Sequence, residues 1–335
     1  MLKKAAITFC ALMVLSPWQA LADATTLRII CFLPARSVSV SKYFIPWMKS
    51  VEEAAGGTLK LQGYWGGSLG RNPRKQFDLV RDGVADIGLV LPGYTPGKFP
   101  DFGVLELPYL ARSADESSVA LWRLFEKKLL RGLDSTKTIG FFATEPNMVH
   151  TKKPMKSLAD LKGMKIRGAG PVYASTIKHF GAIPIGMPVT QLTESISRGV
   201  VDGTLLGWGG ALIFRLSGVT GYHYVTPLGT TPALITMNKG KWNSLPAKAK
   251  AAIDKFGGEY TSHLGGKGFD AFSRRAEGIV KKKGKRSIVV ASAAEIAQQA
   301  AAAKPVHDAW IAKTKDGAKK YAALIQILKD IRAGK

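Results

Sequence analysis

The composition is that of a globular chain with a strong positive charge. With 335 residues, of which 46% are hydrophobic and 21% charged, the chain is long enough for two domains with separate cores. Its net charge of +24 suits nucleic acid, an anionic surface or small anionic ligands. The sequence has no zinc-ligand spacing, no RNP-like stretch and no basic motif interleaved with aromatic residues, so nucleic acid is not predicted as a partner.

The first residues have the pattern of an export signal. Lys3 and Lys4 precede an apolar run at residues 5–15, and small residues at 20 and 22 form a cleavage site. We therefore predict a signal peptide over residues 1–22. The apolar run is too short to span a bilayer, and no later stretch has the length and hydrophobicity of a membrane span. After cleavage Cys31 is the only cysteine, which excludes an intrachain disulfide and favours a small core residue.

Strand and helix patterns alternate through the first third of the chain. Three apolar runs of strand length occur at residues 27–33, 59–65 and 85–91. Two apolar stripes with helical spacing separate them, at residues 41–55 and around Phe77. This order is typical of a parallel sheet, in which ligands bind beyond the carboxyl ends of the strands. Because Phe32, Trp65 and Tyr94 lie at those ends, we predict that they are near any binding site.

The alternation then repeats and predicts a second domain. Residues 138–143 are predicted to be a strand, and the extended run at 147–150 a crossing into the second domain. A strand at residues 234–237 is predicted to return to the first domain. The predicted division is residues 23–145 with 232–270 for domain I, and residues 146–231 with 271–335 for domain II and the C-terminal helices. Repeated crossing without a flexible linker indicates a hinge between them.

The segment at residues 157–170 is a candidate binding element. Ser157 and Asp160 predict a capped helical turn, which Gly163 ends before a short strand. Arg167 follows at the end of that strand, beside the small residues 168–170. A guanidinium in this place can hold a carboxylate through two parallel hydrogen bonds. Taken alone, the segment is also compatible with an arginine on a solvated loop.

An enzyme and a polyanion-binding protein are the alternatives. Residues 66–70 match the G-x-S-x-G pattern around Ser68, and the chain has five histidines that could serve as a base. Arg71, Asn72 and Pro73 delay the helix that should follow at once, which favours a tight loop. The net charge could instead serve a secreted polyanion-binding protein. The sequence has no H-E-x-x-H, P-loop or G-x-G-x-x-G motif, so neither a metal nor a cofactor is predicted.

Six short motifs occur in order along the chain. They are G-S-L-G at 67–70, V-R-D-G-V-A-D-I at 80–87, F-P at 99–100 with L-P-Y-L at 107–110, L-A-D-L-K-G-M-K-I-R at 158–167, G-V-V-D-G at 199–203 and W-N-S-L-P at 242–246. In order and spacing they resemble the DctP family, the substrate-binding proteins of TRAP transporters. The resemblance covers nearly all of the chain after the signal peptide.

This resemblance implies a fold and a function. The fold is an α/β periplasmic binding protein fold of two domains, each a mixed, mainly parallel sheet with flanking helices. Hinge strands and a long bridging helix join the two lobes. The implied function is that of a periplasmic receptor without enzymatic activity, which closes around an organic anion and delivers it to sodium-driven membrane subunits.

The resemblance also implies a role for Arg167, because in the family the arginine that ends this motif pairs with the substrate carboxylate. Many members that bind acid sugars or dicarboxylates have a second arginine on the crossing strand, where this chain has Asn147. Leu206 and Trp208 stand where those members have polar residues, and Val189 where some have an aromatic one. Fewer charges and a more apolar wall predict a ligand with one carboxylate and an apolar or aromatic body.

A hydroxyl group completes the predicted site. Tyr173 begins the helix that follows Arg167, so its hydroxyl is expected within reach of the same ligand.

Overall fold

The computed structural model describes residues 24–282 and 287–335. They form two sheets covered by helices, and each sheet with its helices is called a lobe below. The predicted signal peptide at residues 1–22 lies outside the described residues. Within the described ranges, no helix combines the length and hydrophobicity that a membrane crossing requires.

The first sheet has five strands, four of which run in the same direction. Their spatial order is Leu59–Tyr64, Thr25–Ile30, Ile87–Val90, Pro232–Asn238 and Thr136–Ala143. Pro232–Asn238 is the exception, since it pairs antiparallel with both neighbours. The predicted strands around residues 27–33, 59–65, 85–91 and 138–143 and the returning strand at 234–237 are confirmed.

The second sheet has six strands, five of which run in the same direction. Their spatial order is Ser287–Val290, Tyr222–Val225, Met148–Thr151, Gly203–Leu206, Lys165–Gly168 and Ile183–Gly186. Met148–Thr151 is antiparallel to both neighbours. Met148–Thr151 is the first strand after the chain enters the second lobe, and Pro232–Asn238 is the first after it returns, so these two entry strands run against the majority.

Helices cover both sheets and connect them. The α-helices are Ile45–Ala55, Gln76–Arg81, Ala114–Glu126, Pro171–His179, Leu192–Ser197, Trp208–Ile213, Lys239–Ser244, Ala247–Lys255, Gly258–Lys282, Ala293–Ala302, Lys304–Lys313 and Gly317–Arg332. A π-helical turn, Ser39–Phe44, leads into the first of them. The predicted helix at 41–55 is thus confirmed, with a wider first turn.

One long helix, Gly258–Lys282, bridges the lobes as predicted. It packs on the helix Ala114–Glu126 and the strand Thr136–Ala143 of the first lobe, and on the short helix Trp208–Ile213 of the second. Glycines in its sequence allow close packing: a Cβ added at Gly265 would lie 2.5 Å from the Cβ of Phe142.

The C-terminal helix packs on the first lobe. The predicted division grouped residues 271–335 as domain II and C-terminal helices, and within that range Gly317–Arg332 joins the first lobe's core. Leu324 and Leu328 share a buried cluster with Phe102, so the apolar stripe of this helix completes the first lobe's core. The remaining domain boundaries stay a prediction.

Candidate ligand-binding site

Arg167 lies near the carboxyl end of an interior strand of the second sheet. Ser157 and Asp160 form the predicted capping box on the turn Leu158–Leu161, and the strand Lys165–Gly168 follows. This strand pairs in parallel with both neighbours, which fixes the direction of its carboxyl end. The arginine side chain is not on a solvated loop, because only 2% of the residue is exposed.

The guanidinium of Arg167 is held by neutral oxygen atoms. Its Nε donates to the carbonyl oxygen of Met187 at 2.9 Å, and its Nη2 donates to the hydroxyl of Tyr94 at 3.1 Å. An arginine has five N–H groups. The bonds found in the described part of the chain leave both N–H groups of Nη1 and one of Nη2, which together can hold a carboxylate with two hydrogen bonds.

A buried carboxyl group, that of Glu106, lies near Arg167 but does not neutralise its positive charge. Burial raises the pKa of Glu106 to about 8, although the charge of Arg167 opposes this shift. Glu106 is therefore mostly protonated at neutral pH. No ion pair to Arg167 is found within residues 24–282 and 287–335, so the desolvated cation calls for an anion from outside the chain.

The space beside Arg167 is an apolar cavity between the lobes, which we call the central cavity. Its volume is about 80 Å³. Its walls are mainly the apolar side chains of Leu91, Phe142, Val189, Leu206, Phe214 and Phe269. An apolar cavity of roughly 150 Å³ can hold a benzene ring. The central cavity is smaller than this, so it excludes a bulky ligand, and its walls must move apart to admit a ring.

Four of the predicted site residues come together in this wall. Arg167, Tyr94, Val189 and Leu206 all line the central cavity. Tyr94 belongs to the first lobe, and its hydroxyl accepts from the backbone N–H of Val189 at 2.9 Å as well as from Arg167. The hydroxyl thus joins the first lobe to two segments of the second.

Asn147 and Tyr173 are buried behind the wall. The amide of Asn147 donates to the hydroxyl of Tyr173 at 2.6 Å and to Oγ1 of Thr231 at 3.1 Å. Thr231 lines the central cavity, whereas the other two do not. Asn147 and Tyr173 therefore occupy a supporting position behind Thr231. The amide oxygen Oδ1 of Asn147 is buried and has no hydrogen-bond partner in the described part of the chain, so direct ligand contact by these two residues stays a prediction.

Trp208, Phe32 and Trp65 do not line the central cavity, so its geometry gives no support to their predicted contact with a ligand. Trp208 packs against both His150 and His223, with ring centroids 5.2 and 5.1 Å away, because a helix starts at Trp208 and turns it away from the face of Leu206. Phe32 is part of the first lobe's core. Trp65 packs on a phenylalanine of the same lobe, with centroids 5.4 Å apart.

Several residues in the wall of the central cavity were not predicted from the sequence. Phe142 and Phe269 lie on a strand and a helix whose patterns indicate ordinary core, so nothing marked them as cavity residues. Glu145, in the crossing segment, also lines the cavity. Its carboxylate accepts from the backbone N–H of Gly209 at 2.7 Å, and burial raises the pKa of Glu145. The sequence feature that could have indicated Glu145 is an acidic residue between two predicted strands.

The geometry gives no support to a hydrolase centred on Ser68. Ser68 is exposed in a turn after the strand Leu59–Tyr64. No hydrogen bond within the described ranges connects it to a histidine. His150 instead bonds to His223 and to the carbonyl oxygen of Leu206.

Comparison with known proteins identifies the family. The profile of the bacterial extracellular solute-binding proteins, family 7 (DctP), matches residues 33–314. The chain belongs to the DctP family. The predicted resemblance is thereby confirmed, and the family consists of solute-binding receptors rather than enzymes.

Solved DctP-family structures share the fold over almost their whole length. A TRAP solute-binding protein from a marine metagenome, described as specific for aromatic acid ligands and solved with 3-hydroxybenzoate, is 32% identical, with a TM-score of 0.88 over 92% of this chain and 99% of the other. A TRAP solute-binding protein from Rhodoferax ferrireducens, solved with copurified benzoate, is 27% identical, with a TM-score of 0.87 over 93% and 100%. The two-lobe α/β fold that was predicted is confirmed.

One protein is similar to this chain by comparison of the sequences. The outer membrane transporter protein TsaT of Comamonas testosteroni is 25% identical over 311 residues, which cover 90% of each chain. None of these relatives supports the hydrolase or polyanion-binding alternatives.

Proposed function

We propose that this DctP-family protein is the extracytoplasmic receptor of a TRAP transporter and binds an apolar or aromatic monocarboxylate. In this proposal, Arg167 holds the carboxylate and the walls of the central cavity hold the body of the ligand. The observation that carries the proposal is the buried guanidinium of Arg167, which has no counter-ion in the described chain and faces apolar walls.

A single acid group is favoured by the charges in the wall. Arg167 is the only lysine or arginine among the described residues that line the central cavity. Glu145 brings a second ionisable group, and this group is acidic. A second carboxylate on the ligand would therefore find no cation to pair with, and it would be desolvated near a carboxyl group.

An aromatic body is favoured by the walls and by the relatives. Phe142 and Phe269 are stacked with their ring centroids 5.3 Å apart, and they offer an apolar surface to a ring. The structurally similar proteins solved with 3-hydroxybenzoate and benzoate support the same ligand class.

Delivery and location follow from the family in this proposal. The receptor is exported by its predicted signal peptide, acts in the periplasm, closes on the acid and passes it to membrane subunits of a TRAP transporter. Mass spectrometry of the exported protein tests the first step, since cleavage after Ala22 should leave a chain that begins at Asp23.

The ligand class is tested by calorimetry on residues 23–335. Benzoate and 3-hydroxybenzoate should bind, and each should raise the melting temperature because it stabilises the native state by mass action. Succinate and glucuronate should bind much more weakly. Tighter binding of either of these two would contradict the proposed ligand class.

The role of Arg167 is tested with two variants and a control. Arg167→Ala should weaken benzoate binding by at least about 2 kcal/mol, or roughly 30-fold, because it removes one partner of a buried charge pair. Arg167→Lys should recover only part of this loss, since it keeps the charge but not the planar pair of donors. Arg198→Ala is the control, as its side chain is 73% exposed. Unchanged affinity in Arg167→Ala would refute the assignment.

A further inference from the structure

A second buried carboxyl, that of Glu106, lies where the two lobes meet. Glu106 ends the helical turn Phe102–Glu106 of the first lobe and is 1% exposed. A Cβ added at Gly93, just before Tyr94, would lie 2.5 Å from its Oε1, and one added at Gly170 would lie 3.3 Å from its Oε2. Gly170 caps the helix Pro171–His179 of the second lobe. The carboxyl is therefore covered from both lobes.

The carboxyl of Glu106 lacks the partners that an ionised group needs. Its Oε1 is buried and has no hydrogen-bond partner among residues 24–282 and 287–335. The described chain also forms no ion pair with it. A carboxylate in this setting is costly, whereas the protonated form is much less so.

Ionisable groups on several elements lie near Glu106 or near the segment that follows it. Arg167, on the second sheet, favours the ionised form, but burial outweighs it and raises the pKa of Glu106 to about 8. The Tyr173 hydroxyl, on the helix that follows, has its pKa raised mainly by burial and then by Glu106. His307 lies on the helix Lys304–Lys313 and bonds to the carbonyl oxygen of Pro108; burial lowers the pKa of His307.

A second cavity gives Glu106 access to protons from solvent. This outer cavity has a volume of about 240 Å³ and is lined by Glu106, Phe99, Val172 and Trp310. Lys313 also lines it and is exposed, so the outer cavity reaches the surface and brings one cation to its rim. A proton can therefore reach the carboxyl without passing through the central cavity.

We propose that closure of the lobes on the ligand is coupled to protonation of Glu106. This inference rests on the proposed function, because it concerns the closure that holds the acid. When the lobes part, Gly170 moves away, the carboxyl becomes hydrated and its proton is released to water. When they close, the carboxyl takes up one proton as the ligand anion enters. The ligand's negative charge is thus accompanied by a proton.

The direction of the pH effect follows from this coupling. The pKa of Glu106 is near its ordinary value of 4.5 when the carboxyl is hydrated. It is about 8 when the carboxyl is buried. Between these values the closed form holds a proton that the open form lacks, so rising pH disfavours closure. The affinity for ligand should therefore be high at pH 6 and fall as the pH rises to 8.

The coupling is tested first on the unchanged chain with benzoate. Its Kd should rise on the order of 50-fold from pH 6 to pH 8. Titration at pH 7 in buffers of different ionisation enthalpy should show about 0.9 proton taken up per benzoate bound. Benzoate that binds with a Kd constant within twofold and without proton uptake would overturn the coupling and leave the proposed function in place.

Two variants test whether Glu106 causes the pH dependence of benzoate binding. Glu106→Gln should bind benzoate at pH 8 as tightly as the unchanged chain does at pH 6, with little pH dependence between. His307→Gln is the matched control and should keep the full pH dependence. If Glu106→Gln keeps that dependence, or His307→Gln loses it, the assignment to Glu106 is wrong.

A ligand-free measurement separates this inference from the proposed function. Failure of benzoate to bind at either pH would count against the function. In that case small-angle scattering of the free chain decides the coupling: the radius of gyration should be smaller at pH 6 than at pH 8 in the unchanged chain, and equal in Glu106→Gln. Equal radii in the unchanged chain would overturn the coupling.

Discussion

Tyr94 of the first lobe and Arg167 of the second are joined by a hydrogen bond across the central cavity, with 3.1 Å between the phenolic oxygen and Nη2. The same oxygen accepts from the backbone N–H of Val189. The phenol therefore orients the guanidinium and connects it to the opposite lobe. Its own proton has no acceptor among the described hydrogen bonds and is available to a ligand oxygen.

Replacing Tyr94 by phenylalanine should therefore weaken binding of benzoate. We expect a loss of about 1–2 kcal/mol, since the variant removes hydrogen bonds to the guanidinium and leaves the Val189 N–H buried without its acceptor. Calorimetry measures the loss. Tyr260→Phe, at a residue that is 44% exposed, is the control and should bind normally. An unchanged Kd in Tyr94→Phe would show that the bridge does not contribute to binding.

The wall residue Leu206 should control the size of the ligand. Leu206→Ala removes apolar contact from a benzoate ring, for which we expect a loss of about 1–2 kcal/mol. The space created should improve 2-naphthoate relative to benzoate, which competition calorimetry measures. Leu212→Ala is the control, because Leu212 packs in the Trp208 cluster instead of lining the central cavity. The same ratio of affinities in both variants would contradict this role.

Behind Leu206, two histidines form a buried pair. Nε2 of His150 bonds to the carbonyl oxygen of Leu206 at 3.0 Å, so it carries a proton and donates. Nδ1 of His150 therefore accepts from Nδ1 of His223, 2.7 Å away. This arrangement needs His150 to be neutral, because its Nδ1 accepts, and burial followed by the charge of His223 lowers the pKa of His150 to about 3.

The buried pair of His150 and His223 predicts that the folded protein is less stable in mild acid. Once unfolded, His150 takes up a proton near its ordinary pKa of 6.5, whereas the folded chain resists protonation down to about 3. Its contribution is therefore fully present above pH 6.5 and declines below it, by up to about 1.4 kcal/mol per pH unit. Urea unfolding at pH 7, 6 and 5 measures the slope. His150→Gln should reduce the slope, and His179→Gln, at an exposed site, should not.

Cys31 should be unreactive in the folded protein. The thiol is fully buried, and burial raises its pKa to about 12, so almost no thiolate forms at neutral pH. A chain from residue 23 onward should show no reaction with a thiol reagent until denaturant is added, and then one equivalent. Rapid reaction under native conditions would indicate that the first lobe opens around this strand.

The sequence predicts the residue that carries charge better than the residues that shape the cavity. Arg167 follows a capped turn and a short strand, and these local signals fix where it lies. Phe142 and Phe269 reach the same cavity from segments more than 120 residues apart, where their spacing is that of any buried strand or helix. Only the packing of the long helix brings them together.

Errors arose where the backbone changes direction. Leu206 and Trp208 are two residues apart and would share a face in a continuous strand. The strand ends at Leu206 and a helix begins at Trp208, so their side chains diverge. Asn147 lies in the predicted crossing segment but behind the cavity wall, where its amide nitrogen donates to Tyr173 and Thr231.

The long helix that bridges the lobes also has a built-in weak section. Glycines at 265, 266 and 268 directly precede Phe269, whose ring lines the central cavity. Each glycine makes a helix about 1 kcal/mol less favourable than alanine would. The helix is therefore most compliant in the turn that a bound ring would touch. A ring bound there would stiffen this turn. Ligand binding in the central cavity would therefore change the rigidity of the helix that both lobes share.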